Sequence, residues 1–363
     1  MKTNYVLFAA LGALALTATS CINHDYDTDK TEVAVEVEVD EEPVVVPSND
    51  LLDIKANDIV KSDDQGNLQI AIASSNTASV TTSLSEGIPT SIPGELQMTA
   101  AQDDIPDFCS SESGAILPYA CILVELNNTS PEKVVFNGDI KAGGKLGKLP
   151  DLVVPAETTG YKIGLISTKE AKEYLNEPNV SEYIVVEDNV AEVINHISKD
   201  EGLVIKDMTV KPMQTRAVAP AAAEYEFSIG AKFCAPLCFP AGSELKFDID
   251  FSGEILDVSE YNVTVNDYQI VADVTNTIPF DIDGTGTSTN GVTASLDKPI
   301  KAGEINKPTN TKVLIHIKST ANVTKLEGAV LHLVLKTDKD VRINKNQKLD
   351  IDMQSIKFSQ KKK

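Results

Sequence analysis

The chain has 363 residues, with 54 acidic against 32 basic side chains and a formal charge of −22. So acidic a surface repels phosphate backbones and argues against nucleic acid as a partner. Only two of the basic residues, Arg216 and Arg342, are arginine, so bidentate clamps for carboxylate or phosphate are nearly absent.

In chain order, Lys2, an apolar run over 5–16 and a small polar stretch over 17–20 lead into Cys21. This is the arrangement of a secretory leader ending at a lipid-accepting cysteine. It resembles a lipobox, with Ala18 where leucine is usual. The run is too short to span a ~30 Å hydrocarbon core, and no later segment approaches ~18 uninterrupted apolar residues. Residues 1–20 are expected to be a lipoprotein signal peptide. Cys21 is expected to carry diacyl and N-acyl (palmitate-type) chains, enough lipid to hold a chain stably on a membrane.

Residues 21–50 hold ten acidic side chains and one basic one, Lys30, and are expected to form an acidic, solvated tether. Within it, 32–39 alternates glutamate and apolar residues with period two. That pattern suits either a strand or an extended spacer. From 51 to 212 the sequence predicts an N-terminal β-rich domain. Short apolar or alternating runs at 68–74, 122–126, 134–140, 152–154 and 161–166 are bounded by Gly, Pro, Asn and Asp, the signature of strands. Two short helices are expected in it. One is opened by the capping box Ser167-Thr168-Lys169-Glu170 and runs to Asn176; the other runs from about Asn189 to Gly202. The Ser/Thr-rich stretch 75–100 permits strands without demanding them.

Residues 213–223, with Pro220 and an alanine run, are expected to be a linker. From 224 to 360 the reading is an antiparallel, Ig-like β-sandwich, with strands near 225–233, 244–251, 262–274, 292–296, 312–318, 329–336 and 349–358. In the last of these the apolar positions run Leu349, Ile351, Met353 and then switch parity to Ile356 and Phe358. That switch predicts a β-bulge near Gln354–Ser355. The fold class is mainly β: two β-rich domains, the first with two short helices.

The passages 271–283, 296–304 and 344–349, together with the leader, resemble surface lipoproteins of the Bacteroidota whose role is uncharacterised. The resemblance covers the last 130–150 residues or so and the leader. It implies an outer-membrane, surface-exposed lipoprotein, and Asp25, Asp27 and Asp29 are similar to the acidic export signals of that group. It supplies no catalytic or binding residue.

Beyond Cys21, four cysteines remain: Cys109, Cys121, Cys234 and Cys238. An even number in an exported chain suggests two disulfides with three connectivities. Closeness in sequence favours Cys109–Cys121 and Cys234–Cys238. The second bridge needs a bend at Pro236, because an i,i+4 pair in a straight strand lies ~13 Å apart. The other reading of Cys234 and Cys238 is as small core residues. The histidines are His24, His196, His316 and His332; the last two lie mid-strand and are possible cross-strand neighbours. No HExxH, GxSxG, Walker or GxGxxG motif occurs, so no catalytic residue, metal site or cofactor is predicted. Asp281–Asp283 and Asp63–Asp64 resemble fragments of calcium loops without completing one; a strand face and a turn are the simpler readings. The absence of Trp leaves a sugar-stacking platform unsignalled. The sequence thus predicts a lipid-anchored, non-catalytic envelope lipoprotein that binds or scaffolds an envelope protein or glycan. An adhesin or fimbrial-type subunit and a hydrolase with an interdomain site are the alternatives.

Overall fold

The computed structural model describes residues 33–38, 43–52, 54, 59–84, 88–100, 106, 117–175, 177, 179–195, 202–213, 223–257, 265–288, 291–323 and 325–360. The signal peptide, Cys21, His24, Cys109, His196 and most of the 213–223 linker lie outside them. The chain divides into two compact units, Met1–Ile54 with Ala241–Lys363 (the terminal unit) and Lys55–Pro240 (the inserted unit).

The elements run β1 Val33–Glu38, β2 Val44–Pro47 and α1 Ser48–Leu51 in the terminal unit. The inserted unit follows with β3 Val60–Ser62, β4 Leu68–Ala73, β5 Ala78–Thr82, β6 Thr90–Ser91, β7 Leu96–Met98, β8 Cys121–Asn128, β9 Val134–Ala142, β10 Lys145–Lys148, β11 Leu152–Val154, β12 Thr158–Ile166, α2 Ala171–Tyr174, β13 Glu182–Val185, α3 Asp188–Ile194, β14 Leu203–Pro212, β15 Tyr225–Pro236 and β16 Cys238–Phe239. The chain then returns with β17 Glu244–Asp257, β18 Val265–Asn276, β19 Asp281–Ser288, β20 Val292–Leu296, β21 Thr309–Val323, β22 Lys325–Lys336, β23 Val341–Arg342 and β24 Lys348–Gln360. The molecule is mainly β, built of curled sheets that are antiparallel except for the β12–β13 pair, in the manner of a β-sandwich.

Two sheets make the inserted unit. One orders β10-β9-β14-β6, with β11 also on β9 and β7 on β14; the other orders β13-β12-β8-β15-β4-β3, with β5 also on β15. Phe136 of β9 and Phe227 of β15 are fully buried and meet edge to face, ring centroids 6.5 Å apart. They tie one sheet to the other, and burying each ring contributes roughly 1.5–3 kcal/mol. β8 is buried on both faces: Ile122 and Val124 have no exposure and neither has Cys121. Its near-continuous apolar run is what a doubly covered strand requires.

The fold divides at Pro240 rather than in the 213–223 stretch. β15, expected to open the C-terminal sandwich, is instead a central strand of the inserted unit, paired with β8 and with β4 and β5. The expected tether likewise contributes strands. β1 pairs antiparallel with β24, Val33 opposite Gln360 and Glu38 opposite Ser355, and β2 continues along it, Val44 opposite Ile351. The terminal unit is a nine-stranded sheet, β1-β24-β18-β21-β20-β19-β22-β17 with β2 also on β24. The predicted bulge is present: Val271 faces Ser355 and Ala272 faces Met353, leaving Gln354 unmatched.

The first helix of the inserted unit is shorter than expected, and the second is described over Asp188–Ile194. Ser167 does not cap; its hydroxyl donates to the Pro118 carbonyl at 2.8 Å, and α2 is a single turn. Each unit also carries a buried asparagine lock at the end of a strand. Asn128 donates to the Glu132 and Pro155 carbonyls, both at 2.8 Å, and its Oδ1 accepts from the Ser130 N–H at 3.0 Å and hydroxyl at 2.6 Å. Asn276 donates to the Phe280 and Lys301 carbonyls and accepts from the Ile278 N–H.

Candidate functional site

The inserted unit carries an open cleft of about 850 Å³. Its geometry begins with a bulge in β14. Buried positions run Leu203, Ile205 and then Met208, Val210, a parity switch that needs one extra residue. Against β9, Lys206 faces Asp139 and Thr209 faces Asn137, so Asp207 and Met208 oppose Gly138 alone. Asp207 has φ +51°, a conformation that costs most side chains energy and that Asp tolerates better than most. Gly138 is required by the close approach: a Cβ there would lie 3.1 Å from the Lys206 carbonyl oxygen and 3.3 Å from Met208 Cγ.

Neighbouring elements complete the walls. Gly143 and Gly144, both at positive φ, form the two-residue turn that folds β10 back on β9. α3 lies against β10 at Gly147, where a Cβ would be 3.1 Å from Val190. That contact sets Glu187 and Val190 beside the cleft. Its lining bears four carboxylates, Asp139, Asp151, Glu187 and Asp207, and two ammonium groups, Lys148 and Lys211. Among the described residues no histidine, cysteine or aromatic ring lines it. Asp207 is at the rim, its side chain 69% exposed and 3.6 Å from the Lys206 ammonium. The arrangement offers hydrogen-bond acceptors in excess of cations, with the exposed Val185 as an apolar step.

A second cluster is buried on the other face of β8, under α2. Cys121, Leu123, Ile166, Ala171 and Cys234 form its centre, with Tyr119, Leu175, Val180 and Tyr183 packed around it. Glu177 Oε1 accepts from Lys232 Nζ at 2.5 Å and from Cys234 Sγ at 3.2 Å. Burial, and then the Glu177 charge, push both thiols well above their ordinary range. Burial, and then the neighbouring Cys121, Glu177 and Cys234, push the Tyr183 hydroxyl up as well. Burial pulls the Lys232 ammonium down, but its bond to Glu177 and the charges beside it outweigh that and leave it raised. Such thiols stay protonated, so they are poor nucleophiles.

Cys121, Cys234 and Cys238 are all buried, and the structure draws no bond between any two of them; Cys109, the expected partner of Cys121, lies outside the described residues. Strand register instead sets Cys121 of β8 opposite Cys234 of β15, a neighbour far away in sequence. His316 and His332 are not cross-strand neighbours either, because β20 and β19 lie between β21 and β22. His332 Nδ1 meets Asp248 Oδ1 at 2.7 Å, with 44% and 58% of the two side chains exposed; this is a surface pair. The calcium-like fragments are occupied by protein donors. Asp281 takes the Lys301 ammonium at 2.7 Å and the Ala302 N–H at 2.8 Å. Asp63 takes the N–H groups of Gln65 and Asn67, closing its own turn. No three metal-ligating side chains gather among the described residues, and no described helix is long and apolar enough to cross a membrane.

Fold and cleft together define a mainly β, sandwich-type protein with an acidic cleft in its inserted unit. No family model matches the chain, and no curated protein matches it. Among solved structures it is similar to a candidate secreted protein from Parabacteroides distasonis ATCC 8503, at 15% identity and a TM-score of 0.52, covering 87% of this chain and 99% of that one. At that identity the likeness defines the fold alone. The Gt strain structure of infectious bursal disease virus aligns at 9% identity and a TM-score of 0.19, over 85% of this chain and 74% of that one. T=1 particles derived from the same virus align at 11% and 0.18, over 99% and 76%. Superpositions that loose carry no argument about the fold.

Proposed function

We propose that this is a lipid-anchored, non-catalytic binding lipoprotein of the cell envelope, held by lipid on Cys21 and engaging its partner through the inserted unit's cleft. The observation that carries the reading is the bulge at Asp207. A left-handed aspartate set opposite a glycine places a carboxylate on the rim of a cleft that already holds Asp139, Asp151 and Glu187. Excess carboxylates favour a segment of an envelope protein that presents basic side chains. A glycan is the weaker match, because no aromatic platform is among the described lining residues. The outer-membrane address rests on the leader and Cys21, and the secreted character given for the Parabacteroides neighbour is in keeping with it.

Two experiments test this. Cys21→Ser should move the protein from the membrane fraction to the soluble one; retention on membranes would refute the anchor. Crosslinking in native membranes followed by pull-down should recover a partner with the natural chain and lose it with Thr209→Trp, which sets a bulky ring among the cleft's lining residues. Equal recovery with both would remove the cleft from the reading, and recovery from a glycan array instead would replace the protein partner.

A further inference from the structure

Cys121 and Cys234 are direct partners across the β8–β15 pair. Residues directly opposite in antiparallel strands have Cα atoms ~4.5–5.5 Å apart, on the same face. That lies inside the ~4.4–6.8 Å window a disulfide accepts. Both side chains have no exposure and belong to one buried cluster. We propose that Cys121 and Cys234 are joined by a disulfide in the exported protein, stapling β8 to β15 beneath α2.

The surroundings accept the bond. Oxidation removes the hydrogen that Cys234 gives Glu177, yet Glu177 keeps the Lys232 ammonium at 2.5 Å and is not left alone. Gly164 of β12 leaves room for the Tyr183 ring: a Cβ there would lie 2.5 Å from that ring and 3.4 Å from Cys121 Sγ. The ring therefore sits beside the sulfur and shields it from solvent. Thiols so buried and so reluctant to ionise react slowly in the folded chain, so the bond forms before α2 closes over them. One thiolate attacks the disulfide of an envelope thiol oxidoreductase and displaces one of its sulfurs. The second thiolate attacks the mixed disulfide and releases the oxidoreductase as a dithiol. One Sγ–Sγ bond forms and one S–S bond breaks. Both electrons pass to the oxidant, and the two thiol protons end on its sulfurs.

The test is disulfide mapping of the full chain isolated from the envelope under maleimide quench and digested without reduction. The expected result is a single linked species carrying Cys121 and Cys234, which splits and gains two hydrogens on reduction. Cys121→Ser should then make Cys234 alkylatable in the unfolded chain. The natural chain alone decides the matter if that variant does not accumulate. Maleimide on both cysteines without reduction would overturn the proposal. So would linked peptides joining Cys109 to Cys121 or Cys234 to Cys238.

Discussion

Replacing Asn128 with aspartate tests whether its four hydrogen bonds hold the inserted unit together. The side chain has no exposure, so water does not replace what is lost, and Asn128→Asp keeps the volume while removing the two Nδ2 donors. The Glu132 carbonyl can take the Ser130 hydroxyl, 3.0 Å away, only if that one hydrogen turns from residue 128. The Pro155 carbonyl, which accepted at 2.8 Å, then faces an oxygen. One orphaned carbonyl costs roughly 1–3 kcal/mol, and confronting two carbonyls with a buried carboxyl adds a similar amount. A loss of about 2–6 kcal/mol follows. With a urea slope of about 2 kcal/mol/M, the midpoint should fall by ~1–3 M. Far-UV circular dichroism of the full chain in urea reads this directly. A midpoint within ~0.3 M of the natural chain, at unchanged slope, would refute the lock.

Gly138→Ala should cost about 1–3 kcal/mol by forcing its Cβ against the Lys206 carbonyl and Met208, seen as a lower melting temperature; an unchanged one would mean that the bulge yields freely. Lys232→Met should destabilise by roughly 1–3 kcal/mol, because Glu177, 11% exposed, loses its cation while Lys232 itself was a third exposed; chemical denaturation measures it, and a neutral result would show that the pair contributes nothing. In the reduced protein, stability should fall as pH rises above the ordinary thiol value of 9.0. The folded state holds the protons of Cys121 and Cys234 more tightly than the unfolded state does, so the unfolded chain releases them first. Tyr183 and Lys232, also raised, act in the same direction at higher pH. Urea midpoints across pH 8–10, with and without reductant, check the sign; a flat profile in reductant would contradict it, and oxidation of the pair should remove the thiol part.

Local pattern carried most strand positions, and the β24 bulge shows how far it reaches. A parity switch between Met353 and Ile356 is a short-range signal, and the unmatched Gln354 answers it. The same signal was present in β14, where Leu203 and Ile205 give way to Met208 and Val210. There the polar Lys206–Asp207 pair interrupts the run and the segment abuts the expected linker, so the local pattern does not announce the bulge or the cleft that Asp207 borders. Partnership was the other loss. Nothing near Tyr225–Pro236 announces that its neighbours are β4 and β8, and nothing near Cys121 points to Cys234. Capping also misled: the Ser167 hydroxyl found a tertiary acceptor, Pro118, which outcompeted the local helix start.

The pairing of β1 with β24 also gives the terminal unit a direction. Val33 stands opposite Gln360, while the other end of β24 is tied to Asn276 and, through β2, to Val46 and Pro47. Twelve residue steps separate Cys21 from Val33, and such a stretch reaches at most ~40 Å. If Cys21 carries lipid as proposed, the Gln360 end of β24 would be the end reached first along the chain from the anchor. A length of chain that composition marks as slack is, for its second half, strand in the terminal sheet.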